Sequence, residues 1–253
     1  MTANAAPDRM TVEIWADIVC PWCYIGKRRF EAALARFEHR DRVDVIWRSF
    51  ELDPNAPARV EGSLDERLAD KYGVSREEAA AMNAQVTAVA ADEGLHYRLD
   101  IARPGNTFDA HRLIHFARAK GLQEQAQERL MRGYFTEGLD LGDPEALIAA
   151  LAEIGIDANE ARAVLESDAY AADVRADEQR AAMFGIRGVP FAVIDEAFGV
   201  SGAQSSDVFL SALQQAWAAA HPLKTVSGAE DGAFCEGADC AVPPAEAASG
   251  DDD

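Results

Sequence analysis

At 253 residues the chain is long enough for one large domain or two small ones around a sizeable core. Four cysteines are too few to staple a scaffold, so burial of its apolar residues, 49% of the total, must hold the fold. Lys and Arg number 24 against 44 Asp and Glu, and the net charge of −20 argues against nucleic-acid and membrane-surface roles, because it repels phosphate backbones and anionic lipid.

The opening "MTANAAPDRM" has neither a basic start nor an apolar h-region, so no signal peptide is expected. No run of about eighteen apolar residues follows, so no membrane-spanning helix is expected. The expected location is therefore the cytoplasm, where ordinary cysteines stay as thiols and a C-x-x-C is more often catalytic or metal-binding than structural.

"TVEIWADI", residues 11–18, reads as a first strand. The C-x-x-C of "ADIVCPWCYIG" follows, and Phe30, Leu34 and Phe37 then recur at helical spacing, so a helix is predicted from near Cys20. "VDVIWRSFEL", residues 43–52, reads as a second strand, which completes a βαβ unit with a parallel pair. From about Ser63 to Phe184 the chain is alanine-rich and helical in five to seven segments, with start signals at Ser75 and at Asp143-Pro144. Phe191–Ile194 and Phe198–Ser201 read as a hairpin around an acidic turn. A last helix, "SSDVFLSALQQAWAAA", puts Val208, Leu213 and Trp217 on one broad face, with Leu210, Leu213 and Trp217 expected in the core.

The order β–α–β, helical block, β–β–α predicts an α/β fold: a thioredoxin fold with a large all-helical domain inserted in its middle. The thioredoxin part spans 11–62 and 185–220, the helical domain 63–184. Residues 221–253 form a flexible acidic tail that carries a second cysteine pair, Cys235 and Cys240.

A C-x-x-C at a strand-to-helix junction places the first sulfur beside unpaired backbone N–H groups and the positive end of the helix dipole. Both favour thiolate, the attacking species in disulfide exchange, and the second cysteine lies one turn away, in reach of a mixed disulfide. Pro21 suits a first helical turn because it has no N–H to leave unsatisfied. Val189-Pro190 stands just before a strand, where a thioredoxin fold places a cis-proline against the C-x-x-C and leaves the preceding residue's backbone free for an extended substrate.

"DIVCPWCYIGKRRFE", "NTFDAHRLIHFA", "GVPFAV" and "SGAQSSDVFLSAL" together make the chain resemble the DsbA-like thioredoxin-fold oxidoreductases and, within them, the FrnE-type proteins. The resemblance implies a thiol–disulfide oxidoreductase or isomerase with Cys20 as nucleophile, Cys23 as resolving thiol and Pro190 as the cis-proline. It implies no bound cofactor or metal, protein or peptide thiols and disulfides as substrates, and a cellular donor such as glutathione or thioredoxin. FrnE-type members also carry a second cysteine pair near the C-terminus, which Cys235 and Cys240 match as a secondary redox pair. Members with His in place of Trp22 gain a positive charge and are strongly oxidising, so Trp22 implies a more reducing centre.

Rival readings remain at this point. Glutathione-dependent isomerases and kappa-type transferases of the same superfamily carry a serine where Cys20 stands here. Four cysteines in two pairs could bind zinc, or could make a redox- or metal-sensing binding protein. Asp17, three residues before Cys20, is either a turn residue or a proton shuttle for Cys23. Pro21, Trp22 and Val189 are expected to contact substrate, Trp22 through a partly exposed ring. His111 and His115, four apart, share a helix face; without a third ligand they read as one polar-face and one packed histidine. Asn106 and Thr107 are expected to cap that helix.

Overall fold

The computed structural model describes residues 9–60, 62–223, 234–236 and 239–241. Its sheet is built around β1 (Met10–Ala16), which pairs in parallel with β2 (Val43–Ser49) and antiparallel with β3 (Phe191–Ile194). β4 (Phe198–Ser201) closes the order β2-β1-β3-β4. A central strand covered on both faces needs apolar residues on both, and β1 divides them by parity. Val12, Ile14 and Ala16 join one core with Ala192 and Ile194, while Trp15 joins a second with Val193, Ile186 and Ala181.

α1 (Pro21–Arg36) and α9 (Ser206–Ala220) pack on each other, with the Phe30 and Phe209 rings edge to face at 5.8 Å. The core of α9 differs from its expected face. Phe209, Leu213 and Ala216 are buried, whereas Val208 is 45% exposed. Trp217 is partly buried and stacks on His39 with ring centroids 4.1 Å apart.

Between β2 and β3 run α2 (Leu64–Tyr72), α3 (Arg76–Asp92), α4 (Phe108–Ala119), α5 (Gln123–Arg132), α6 (Pro144–Ala152), α7 (Ala158–Leu165) and α8 (Ala171–Met183), with a π turn over Gly133–Glu137. Ser75 accepts from the Glu78 N–H while the Glu78 carboxylate accepts from the Ser75 N–H, and the Asp143 carboxylate caps α6 beside Pro144. At α4 the division of labour differs from expectation: Thr107 is the N-cap without a side-chain bond, and Asn106 Oδ1 accepts from the Phe108 N–H at 2.8 Å.

α8 covers the Trp15 face of the sheet through Ala181 and a set of polar contacts. Trp15 Nε1 donates to the Asp177 carbonyl at 2.9 Å. Glu13, a buried charge in the middle of β1, accepts from Arg48 at 2.8 Å and Arg180 at 2.6 Å. Burial pushes the Glu13 carboxyl up, but the bonds and charges of Arg180 and Arg48 outweigh it and hold it below its ordinary value. Asp177 is likewise held low: burial opposes, and His115, the Ser49 N–H and Arg48 prevail.

Residues up to Ala220 form one unit and His221–Asp253 a second. In the second unit β5 (Phe234–Glu236) and β6 (Asp239–Ala241) pair antiparallel, with Cys235 directly opposite Cys240. Of the segment read as a flexible tail, residues 224–233, 237–238 and 242–253 lie outside the described residues.

Candidate active site

Cys20 is the N-cap of α1, with extended backbone (φ −85°, ψ 112°) and Pro21 at the first helical position. Its own N–H donates to the Asp17 carbonyl at 3.1 Å, and the Cys23 N–H returns to the Cys20 carbonyl at 3.0 Å. The turn therefore presents both sulfurs at the positive end of the helix, with no acidic residue in its first turn to compete. Both cysteines are free thiols.

Opposite them lies the loop before β3. The Val189–Pro190 peptide is cis, the Cys20 Sγ–H donates to the Val189 carbonyl at 3.6 Å, and the Pro190 carbonyl accepts from the Gly202 N–H at 2.9 Å. Because this loop lies against Cys20, the residue is only 4% exposed, where an exposed sulfur suits an attacking thiol. Trp22 is 43% exposed and is the open part of the turn.

Cys23 is fully buried, and burial pushes its thiol well above the ordinary value. Its hydrogen bond to Cys20 and the Cys20 charge push the same way; the Asp17 charge adds a little, and a backbone bond from Asp17 opposes. Cys23 thus keeps its proton and offers it to the Cys20 sulfur. That is the arrangement expected of a nucleophile and a waiting resolving thiol.

Asp17 is buried behind the turn, its Oδ2 accepting from the Leu52 N–H at 2.8 Å. Its Oδ1 lies 3.4 Å from His111 Nε2. Both histidines of α4 are buried, unlike the half-exposed pair their spacing suggested, because α4 is enclosed by α5, α7 and α8. His115 Nε2 stands 3.2 Å from Ser49 Oγ and 3.0 Å from Asp177 Oδ2.

Sequence reasoning missed Tyr97. Its hydroxyl donates to the Pro21 carbonyl at 2.7 Å from a loop more than seventy residues away, and its ring stacks on Phe135 with centroids 4.5 Å apart. Burial pushes this phenol far up, and the cysteine charges add to that, so it stays a donor. An aromatic residue in a loop carries no sequence signal for such a contact.

Beside the cis peptide a groove of about 340 Å³ is lined by Gly185, Arg187, Gly188, Pro190 and Ser201, among others. Among the described residues no group of three or more His, Cys, Asp or Glu is arranged to hold a metal ion, and no helix is long and apolar enough to cross a membrane.

A family model described as a DSBA-like thioredoxin domain matches residues 11–214. The "probable DsbA oxidoreductase" of Streptomyces coelicolor is 47% identical, with 93% of this chain and all of that one covered and a TM-score of 0.81. The uncharacterised protein YwbO of Bacillus subtilis is 26% identical over 80% of this chain and 94% of its own length. The cytosolic disulfide reductase DsbM of Pseudomonas aeruginosa, in a structure with GSH, shares the fold at 16% identity, covering 81% of this chain and 98% of its own, with a TM-score of 0.59.

Proposed function

This chain belongs to the DSBA-like thioredoxin family, and from that premise we propose that it catalyses thiol–disulfide exchange on protein or peptide substrates. The observation that carries the reading is the pair of free thiols at the N-terminus of α1, the first bonded to the Val189 carbonyl and the second to the first. Cys20 attacks one sulfur of a substrate disulfide, and the other sulfur leaves with the electron pair and takes a proton. Cys23 then loses its proton and attacks Cys20, which releases the second substrate thiol and leaves a Cys20–Cys23 disulfide. A thiol donor such as glutathione or thioredoxin returns the centre to the dithiol; run backwards, the same steps oxidise a substrate.

The remaining assignments follow from this reaction. Val189 and Pro190 line the groove where an extended substrate pairs, and Pro21 and the exposed Trp22 are assigned further contacts with it. Asp17, whose charge acts on Cys23, is assigned the role of accepting the Cys23 proton. Cys235 and Cys240 act as a secondary redox pair of FrnE type. The chain works in the cytoplasm, as the DsbM relative is described to do, and uses no bound cofactor. Glutathione-dependent isomerisation is the second reading; the GSH in the DsbM structure, that of a disulfide reductase, accords with glutathione as the thiol donor of the first.

Turnover of insulin or of scrambled ribonuclease is the test. Cys20→Ser should abolish it, and Cys23→Ser should accumulate mixed disulfides with substrate. Full activity in Cys20→Ser would transfer the case to the isomerase.

A further inference from the structure

We infer that His111, set against Asp17 on the inner side of the cysteine turn, is a positioning residue that governs the release and return of the Cys23 proton. The inference rests on the exchange reaction proposed above.

Buried polar atoms almost always have partners, and each exception asks for an explanation. Asp17 Oδ1 and His111 Nε2 are both buried, both without a hydrogen-bond partner, and face each other at 3.4 Å. Asp17 cannot turn away, because its Oδ2 is held by the Leu52 N–H. A carboxylate and an imidazole left in this way can hold one proton between them, at whichever atom the neighbouring charge favours.

The charges around the pair are few. From α1 come Cys20 and Cys23, the latter feeling the Asp17 charge. From the π turn comes Tyr134, its phenol pushed up by burial and by Asp17, with Arg67 of α2 opposing. From the segment after β2 comes Glu51, whose buried Oε1 also lacks a partner and whose carboxyl, pushed up by burial, is drawn back down by Arg175 and by a charge on His111. From α8 come Arg175, bonded to Glu51, and Glu178, bonded to Arg175 at 2.7 Å. Arg175 is 43% exposed, so the series Cys23, Asp17, His111, Glu51, Arg175, joined by charge and by the 3.4 Å approach of His111 to Asp17, ends at solvent.

In the resolving step the Cys20–substrate S–S bond breaks as the Cys20–Cys23 bond forms. The Cys23 proton passes to the Asp17 carboxylate, and the electron pair leaves on the substrate sulfur, which takes a proton from water. His111 Nε2, facing Oδ1 at 3.4 Å, accepts the proton that Asp17 has received, which returns Asp17 to the carboxylate for the next turnover. In reduction of the centre the proton retraces this route to Cys23.

The experiment is stopped-flow exchange with a disulfide peptide between pH 5 and 9, reading mixed-disulfide formation and second-thiol release separately in the wild type, His111→Gln and His115→Gln. His111→Gln should leave the first step within about twofold, slow the second at least about tenfold, and change its pH profile. His115→Gln, also buried on α4 but bonded to Asp177, should show no such split. Equal slowing of both steps in His111→Gln, or an unchanged pH profile of the second, would make His111 structural and overturn the inference. NMR titration of the His111 ring in the wild type covers the case of a variant that does not fold. Its resonance should differ between the dithiol and disulfide forms, and identical titrations overturn the inference. A wild type that forms no mixed disulfide would instead remove the exchange reading itself.

Discussion

Gly26 stands so close to Pro190 that a Cβ on it would lie 3.0 Å from the proline Cγ and 3.5 Å from Ala203 Cβ. A side chain at position 26 would therefore press the second turn of α1 a few tenths of an ångström off the loop that carries Pro190 and the Val189 carbonyl bonded by Cys20. Gly26→Ala gains about 1 kcal/mol of helix propensity and loses about 1–3 kcal/mol to overpacking. The expected result is a small net loss of stability with a larger loss of exchange rate. Thermal unfolding beside insulin turnover reads both; a more stable variant of unchanged rate would show that the loop gives way freely.

Cys23 gives a sign at alkaline pH. Its folded value is raised above the ordinary 9.0, so its contribution to the stability of the reduced protein is fully present below pH 9 and lost as pH climbs through the folded value. Urea midpoints of the reduced wild type should therefore fall above about pH 9 more steeply than those of Cys23→Ser. Parallel curves would show that Cys23 ionises as freely folded as unfolded.

Glu13 gives the opposite sign. Its folded value lies below the ordinary 4.5, so its contribution is fully present above pH 4.5 and lost as pH falls through the lowered value. Glu13→Gln leaves the buried ends of Arg48 and Arg180 short of a partner and should cost about 3 kcal/mol at pH 7. It should also flatten the acid limb of the stability curve. Chemical denaturation from pH 3 to 7 checks both, and an acid limb as steep as that of the wild type would move the origin of acid unfolding elsewhere.

Local punctuation carried much of the fold. β3 and β4 are bounded as the acidic turn between them predicts, and the caps at Ser75 and Asp143 start α3 and α6 where their residue types say. The face of α9 was ambiguous because apolar residues at 208, 209, 210, 213 and 217 fit more than one stripe, and packing on α1 chose Phe209 over Val208. At the site, Cys20, Cys23 and the Val189–Pro190 dipeptide stand out as motifs, and the structure brings them together. Tyr97, Glu51 and the burial of both α4 histidines do not stand out. Their roles come from contacts across the chain, and nothing in their own neighbourhoods encodes those contacts.

Trp22 lies between the sulfurs and brings no charge to them. Trp22→His adds a cation beside the Cys20 thiolate, which favours the dithiol form. The reduction potential should become more positive by on the order of 30 mV or more, equivalent to about 1.4 kcal/mol for this two-electron couple. Equilibration with glutathione buffers measures it, and an unchanged potential would exclude control by this side chain.

Cys235 and Cys240 are directly opposed in the register of the β5–β6 pair. Directly opposed residues of an antiparallel pair stand about 4.5–5.5 Å apart at Cα, inside the window a disulfide needs. Such a bridge closes a loop of six residues and is worth about 2 kcal/mol in the loop-entropy model. That constraint acts within the hairpin and does little for the unit that ends at Ala220, so its use is expected to be chemical. About fifteen residues lie between Ala220 and Cys235, a number that can span at most roughly 50 Å, beyond the radius of gyration of about 17 Å for a domain of this size. Tethering at that range gives an effective concentration on the order of millimolar, enough to compete with free thiols. The pair is therefore expected to exchange with the Cys20–Cys23 centre or to shield it between substrates. In a Cys23→Ser background, mass spectrometry should find a disulfide from Cys20 to Cys235 or Cys240, and truncation after Lys224 should change the rate of insulin reduction. No trapped species, together with unchanged kinetics in the truncated protein, would leave the pair outside the reaction.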